Sequence, residues 1–255
     1  MDEKKPKIIT IASIKGGVGK STTALMFTNI LSKKNNNNKI LLIDLDPQAS
    51  STSFYINIIR ENNLSLKDIN IYKVLKKEID IENSIIKINS NTDFIASHIN
   101  LSKFNEENIS LKENLLKIFL SFIQNRYNYI IMDTAPTLGS LLNNSLIITD
   151  HLIIPLPTDQ WAIESLDLIT SRLHDLFRKD LPTFYLITKF IERQNIDKEL
   201  KKFIECEYKD RFLGSIPKRD NLRKAIFYRE DFNPNEDYYK AYESVLENFL
   251  SILSN

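Results

Sequence analysis

The sequence predicts an α/β fold, a doubly wound, mostly parallel sheet flanked by helices, and three observations carry that prediction. Five short apolar runs are continuous where a half-buried strand would alternate: "IITIAS" (8–13), "ILLIDLD" (40–46), "YIIMDTA" (129–135), "HLIIPLP" (151–157) and "TFYLITKF" (183–190). Continuous runs suit strands buried on both faces beneath helices. Helical patterns separate them, at 21–32, 112–125, 138–149, 162–177 and 196–208, and strand alternating with helix implies right-handed βαβ units. Third, "KGGVGKST" (15–22) follows the first run and opens the first helix, so three of the chain's five glycines stand at one strand-to-helix turn.

The remaining segments take their assignments from the same patterns. "KKNNNNK" (33–39) reads as the loop between the first helix and the second strand. Residues 57–110 are the least regular, with a helical "IYKVLKK" (71–77) and a further strand at "TDFIAS" (92–97), expected to be antiparallel. In 236–255, Tyr239, Tyr242, Leu246, Phe249, Leu250 and Leu253 recur at helical spacing. The polar positions of that helix carry Glu236, Asp237, Glu243 and Glu247 against Lys240, whereas helices lying on anionic lipid carry Lys and Arg; it is expected to pack on the domain. No Pro/Gly/Ser linker or internal repeat divides residues 1–255, so a single domain is expected.

Composition narrows the function classes. At 255 residues and 42% apolar the chain can bury a sizeable core, while 34 basic against 33 acidic residues leave a formal charge of +1, so any nucleic-acid footprint must be local. The single cysteine, Cys206, excludes an internal disulfide or a Cys-rich metal site and fits a reducing cytosol. His98, His151 and His174 are scattered without ligand spacing. The N-terminus has no signal-peptide pattern and no run approaches the roughly 20 apolar residues that span a bilayer, so a soluble, cytoplasmic protein is expected.

Glycines between a strand and a helix suit a phosphate site. Without Cβ atoms in the way, the backbone N–H groups of Gly16, Gly17, Val18 and Gly19 can turn around phosphate oxygens, and the following helix offers its positive end to the same anion. Lys20 supplies a point charge for the β and γ phosphates, and the Ser21 hydroxyl, followed by Thr22, can ligate Mg²⁺. The ordinary GxxxxGK[ST] pattern fails because position 14 is Ile; what stands instead is KGGxGK[ST], with Lys15 at its front. Carboxylates close two other strands: Asp44 and Asp46 in "LLIDLDPQAS", Asp133 in "YIIMDTAPTLG". That edge of a doubly wound sheet is where ligands bind. A nucleotide's Mg²⁺ needs carboxylates to hold its waters, and a water attacking the γ phosphate must be oriented in line. Asp133 suits the first role, supported by Asp44, and Asp46 suits the second.

With these motifs the sequence resembles the ParA/MinD family of deviant Walker A ATPases, most closely the small ParA-type plasmid and chromosome partition proteins. "KGGVGKSTT", "LLIDLDPQAS" and "YNYIIMDTAPTLGSLLNNSL" carry the likeness, with "PLPTDQWAIESL", "IYKVLKKEI" and "LGSIPKRDNLRKA" as weaker matches, from about residue 7 to 250. The resemblance implies a P-loop NTPase fold that binds ATP and Mg²⁺ and forms a nucleotide-sandwich homodimer. It further implies nonspecific binding to double-stranded DNA in the ATP state and slow ATP hydrolysis stimulated by a ParB-type centromere-binding partner. Lys15 becomes the lysine that reaches across the dimer to the other subunit's phosphates. Thr188 and Pro217 become candidates for lining the base pocket. Many relatives have Gly-Asn after "DPQ", where this chain has Ala49 and Ser50.

Within that family, iron-sulfur carriers need paired cysteines, which Cys206 alone does not provide. Membrane-bound division-site regulators need a basic amphipathic tail, which the acidic last helix does not offer. For DNA, Lys218, Arg219, Arg223, Lys224 and Arg229 cluster in "IPKRDNLRKAIFYRE", a patch suited to phosphates, hence salt-sensitive and indifferent to sequence. No helix-turn-helix is expected ahead of residue 7. The reading is a partition ATPase; a membrane- or cargo-positioning ATPase is the alternative.

Overall fold

The computed structural model describes residues 5–158, 162–176 and 180–254. Eight strands, β1 (Lys7–Ile11), β2 (Ile40–Leu45), β3 (Ile85–Lys87), β4 (Thr92–Ile95), β5 (Tyr129–Thr134), β6 (His151–Pro157), β7 (Thr183–Phe190) and β8 (Phe212–Pro217), form one sheet in the order β3-β4-β2-β5-β1-β6-β7-β8. Every pairing is parallel except β3 with β4. The order reverses at β1, since the chain builds outward to β2 on one side and crosses to β6 on the other. Such a switch point leaves a crevice beyond the carboxyl ends of the strands.

Helices cover both faces. They are α1 (Lys20–Lys34), α2 (Ser50–Phe54), α3 (Ile56–Glu61), α4 (Ile71–Leu75), α5 (Leu115–Leu120), α6 (Ser140–Ile148), α7 (Ala162–Asp175), α8 (Asn195–Glu207), α9 (Asp220–Tyr228) and α10 (Asp237–Ile252). β2 shows why its run has no alternation: Ile40 and Leu42 join a core with α1 and α10, while Leu41 and Ile43 join the opposite core with α4 and α5. The last helix packs on β8 and α1, burying Tyr239, Tyr242, Leu246 and Phe249. Pro155 and Pro157 are tolerated in β6 because β1 pairs with it only as far as Ile153, before the glycine loop departs.

Three expectations need correction. The strand at 92–97 is β4, shorter than its apolar run and parallel to β2; the antiparallel member is β3, three residues that sequence did not single out. The expected helix at 112–125 is α5 alone between 3-10 turns, with Leu111 entering at φ 61°. β8 was not read as a strand, because Gly214 and Ser215 interrupt its apolar run. Phe177, at the end of the fourth expected helix, and Asp159–Trp161 of "PLPTDQWAIESL" lie outside the described residues.

Ala49 caps α2 from the left-handed region, φ 54° and ψ 42°, where a Cβ crowds the following carbonyl. Ala49 is therefore strained here, by about 1 kcal/mol. Ala49→Gly is expected to raise the thermal midpoint by roughly 2–4 °C, read by differential scanning calorimetry; an unchanged or lowered midpoint would show the strain to be absent.

Candidate functional site

The glycine loop leaves β1 and enters α1 through Gly19, at φ 90°, with Gly17 at φ 72°. Both are conformations that only glycine adopts at little cost. No side chain caps α1 and its first turn holds no acidic residue, so the orphan N–H groups and the positive end of the helix dipole are offered to the crevice. Gly16 and Gly17 are exposed, and a Cβ on Gly16 would meet nothing within 4 Å. Val18 is buried beneath the loop, while Ser21 and Thr22 are half-buried on the first turn of α1.

Lys20 is 5% exposed and donates from Nζ to the Lys15 carbonyl at 3.0 Å, tying the end of the loop to its beginning. Burial lowers its pKa, opposed by Asp133 and then Asp46. Lys15 itself is half-buried, its backbone N–H donating to Ser13 Oγ at 3.3 Å.

The three strand-end aspartates differ in what they do. Asp44 and Asp133 stand side by side on β2 and β5, both fully buried. Asp44 accepts from the Asp46 N–H at 3.0 Å and from the Thr52 N–H and hydroxyl, each at 2.8 Å. Expected to support the metal shell, it ties β2 to α2 through Oδ2, while Oδ1 accepts the Asp46 N–H. Asp133 Oδ2 accepts from Ser51 Oγ at 2.7 Å, whereas its Oδ1 is buried without a hydrogen-bond partner. Burial pushes both acids up; Asp133 adds to the shift of Asp44, and Asp46 to that of Asp133, against the Ser51 and Ser21 hydroxyls.

Asp46 sits nearest the opening, 7% exposed, accepting from the Gln48 N–H at 2.9 Å, with its own carbonyl held by Ser97 Oγ at 2.7 Å. Burial raises it and Lys20 pulls it down. An orphaned buried carboxylate oxygen beside the Ser21 hydroxyl is the donor set that a hydrated Mg²⁺ uses, so these residues fit that ion.

Beside the loop lies a cavity of about 610 Å³ whose walls include Gly19, Thr22, Thr188, Ile216, Pro217 and Tyr242. Both base-pocket candidates are therefore on one wall. Thr188 is also a clamp, donating to the Val18 carbonyl at 2.7 Å, and its methyl leaves 3.7 Å to a Cβ built on Gly19. Lys218, Arg219 and Arg223 line the same cavity, while Lys224 and Arg229 lie outside its wall, so the basic cluster adjoins this cavity. Its members are unequal. Arg219 pairs with Asp237, and Arg229 donates to the Ser53 carbonyl at 2.8 Å. No ion pair joins Lys218, Arg223 or Lys224 to a carboxylate among the described residues.

Sequence reasoning missed the residues that hold these groups: Ser51, Thr52, Ser97 and Lys189, whose ammonium donates to the Gly17 carbonyl. The hydroxyls of "ASST" directly after the aspartates were a local signal; Ser97 and Lys189 reach the site only through folding.

Comparisons agree with this geometry. The family model AAA_31, described as an AAA domain, matches residues 6–184. A plasmid partition protein from Borrelia burgdorferi, solved with AMPPNP bound, superposes with a TM-score of 0.91 at 44% identity, covering 97% of this chain and 99% of its own. The virulence plasmid ParA family protein of Chlamydia psittaci is 29% identical over 84% of this chain and 81% of its own. The sporulation initiation inhibitor Soj of Bacillus subtilis is 29% identical over 86% and 87% respectively.

The buried acids make stability depend on pH. Asp133 is raised to about 6, against about 3.9 in an unfolded chain. Between those values the native state holds a proton that the unfolded chain has released, so stability is highest below the unfolded pKa and falls as pH rises through the native one. In nucleotide-free protein Asp133→Asn is expected to flatten that decline, adding roughly 2 kcal/mol near pH 7.5 and almost nothing near pH 4, measured by urea unfolding. An equal effect at both pH values would contradict the assignment.

Proposed function

The chain belongs to the AAA_31 family, with ParA-type partition ATPases among its relatives, and from that premise we propose that it is a partition ATPase whose ATP state binds DNA. The observation that supports this most directly is a single juxtaposition. One sheet edge holds the open end of α1, the buried Lys20 and the carboxylates of Asp46 and Asp133.

In this reading the N–H groups of Gly16, Gly17, Val18 and Gly19, with Lys20, Ser21 and Thr22, cradle the phosphates, and Thr188 and Pro217 flank the base. Ser21, and Asp133 through water, would hold Mg²⁺, which when bound would supply positive charge to the phosphate oxygens. Asp46, nearest the opening and with its backbone fixed by Ser97, orients the attacking water. Lys15 acts in trans: in the ATP-bound homodimer it delivers a positive charge to the partner's γ phosphate, where charge develops. Hydrolysis then depends on dimerisation, and a ParB-like protein triggers it. Lys218, Arg223 and Lys224 carry the DNA contact, with Arg219 and Arg229 contributing less because Asp237 and Ser53 hold them. One such patch binds weakly; a dimer presenting two gains effective concentration, which makes ATP the switch for DNA affinity.

The deciding experiment compares binding to unrelated DNA duplexes with ATP and with ADP across a salt series, alongside cosedimentation with anionic liposomes in the same buffer. Salt-sensitive DNA binding with ATP alone is expected; equal affinity in both states, or liposome binding in place of DNA binding, overturns the reading. Lys224→Ala should weaken DNA binding more than Arg229→Ala and flatten the salt slope by about one unit. Asp46→Ala should retain ATP in a filter assay while losing hydrolysis, and Lys15→Ala should lose stimulated turnover. Wild-type stimulation in Lys15→Ala would remove its role in trans.

A further inference from the structure

We propose that Lys189 is a positioning residue for the phosphate loop, holding it in its binding conformation from β7; the inference rests on reading that loop as the nucleotide site. Neighbouring side chains of a regular strand point to opposite faces of the sheet. Thr188 and Lys189 nevertheless reach the same loop, Thr188 through its hydroxyl on the Val18 carbonyl and Lys189 through its ammonium on the Gly17 carbonyl. This is possible because Lys189 takes a left-handed conformation, φ 58°, within a stretch where the β7–β8 register shifts between Ile187 and Phe190.

The two contacts act on consecutive peptide planes. The Gly17 carbonyl shares its plane with the Val18 N–H, and the Val18 carbonyl shares its plane with the Gly19 N–H. Fixing each oxygen turns the N–H of the same unit the other way, so two side chains from β7 orient two of the amides that would meet phosphate. Gly17 needs such help, since its peptide is exposed and glycine is the residue least able to hold one conformation. A left-handed lysine is a strained element retained beside a functional loop. Lys189 lies beyond the 6–184 match to the family model, so the match does not assign it.

The test measures ATP affinity with Mg²⁺, together with the thermal midpoint of the nucleotide-free protein. It compares wild type, Lys189→Met, Lys189→Arg and Lys189→Gly, with Lys20→Ala as control. Met keeps the stem and loses the donor, so affinity should fall roughly tenfold at an unchanged midpoint. Arg restores a donor and should restore affinity. Gly relieves the backbone, so its midpoint should equal or exceed wild type while its affinity matches that of the Met variant. Wild-type affinity in Lys189→Met overturns the proposal, as does loss of affinity in proportion to loss of midpoint across the series. If wild type binds ATP no better than Lys20→Ala, the nucleotide reading itself fails, and this inference with it.

Discussion

Three carboxylates and one ammonium are held together at a sheet edge that leaves them almost no water: Asp44 and Asp133 are fully buried, and Asp46 and Lys20 are exposed by only 7% and 5%. Buried charge is costly unless it is paired and hydrogen-bonded, and here burial pushes all three carboxyls up towards the protonated form. The surroundings answer with donors, Thr52 and the Asp46 N–H on Asp44, Ser51 on Asp133 and Gln48 on Asp46. What remains unanswered is one oxygen, Asp133 Oδ1. A hydrated cation would satisfy that oxygen.

The parallel sheet is what allows that concentration of charge. Strands running in one direction finish on one edge, so segments far apart in sequence, 12–22, 44–52, 133–134, 188–189 and 217–223, meet around a single crevice. The strand interiors supply mostly apolar burial on both faces, with Thr10 of β1 satisfied by the Thr149 hydroxyl at 2.6 Å, and can be read as scaffold. The site's polar strand residues stand at or next to the last paired positions, Asp44 opposite Asp133 on β2 and β5 and Thr188 opposite Pro157 on β7 and β6, at the end where the crevice opens.

The same crevice brings the phosphate loop and the basic cluster close together. The wall that flanks the phosphate loop is built from β7, β8 and the start of α9, and α9 carries Arg223 and Lys224 of the basic cluster, with Lys218 and Arg219 just before it and Arg229 just after. Asp237, at the start of α10, holds Arg219, and Tyr242 of the same helix reaches Thr23 of α1 at 3.4 Å. The helix that opens at the phosphate loop and Arg219 of the basic cluster are thus both tied to α10.

Much was legible in the sequence alone. Continuous apolar runs identified five of the eight strands, because burial on both faces removes polar residues wherever the strand sits. The glycines, Lys20 and the aspartates announced themselves because phosphate chemistry needs those residue types next to strand ends. The short edge elements were not legible: β3 has three residues and takes its direction from β4, and β8 is broken by Gly214. Nor could spacing show that Asp44 serves α2 while Asp133 keeps an open oxygen, since both read as aspartates after apolar strands. Sequence determined which residues have chemistry to offer. Tertiary structure decided which of them are already engaged, because burial and pairing depend on residues far off in the sequence, 172 positions for Lys189 on Gly17 and 219 for Tyr242 on Thr23.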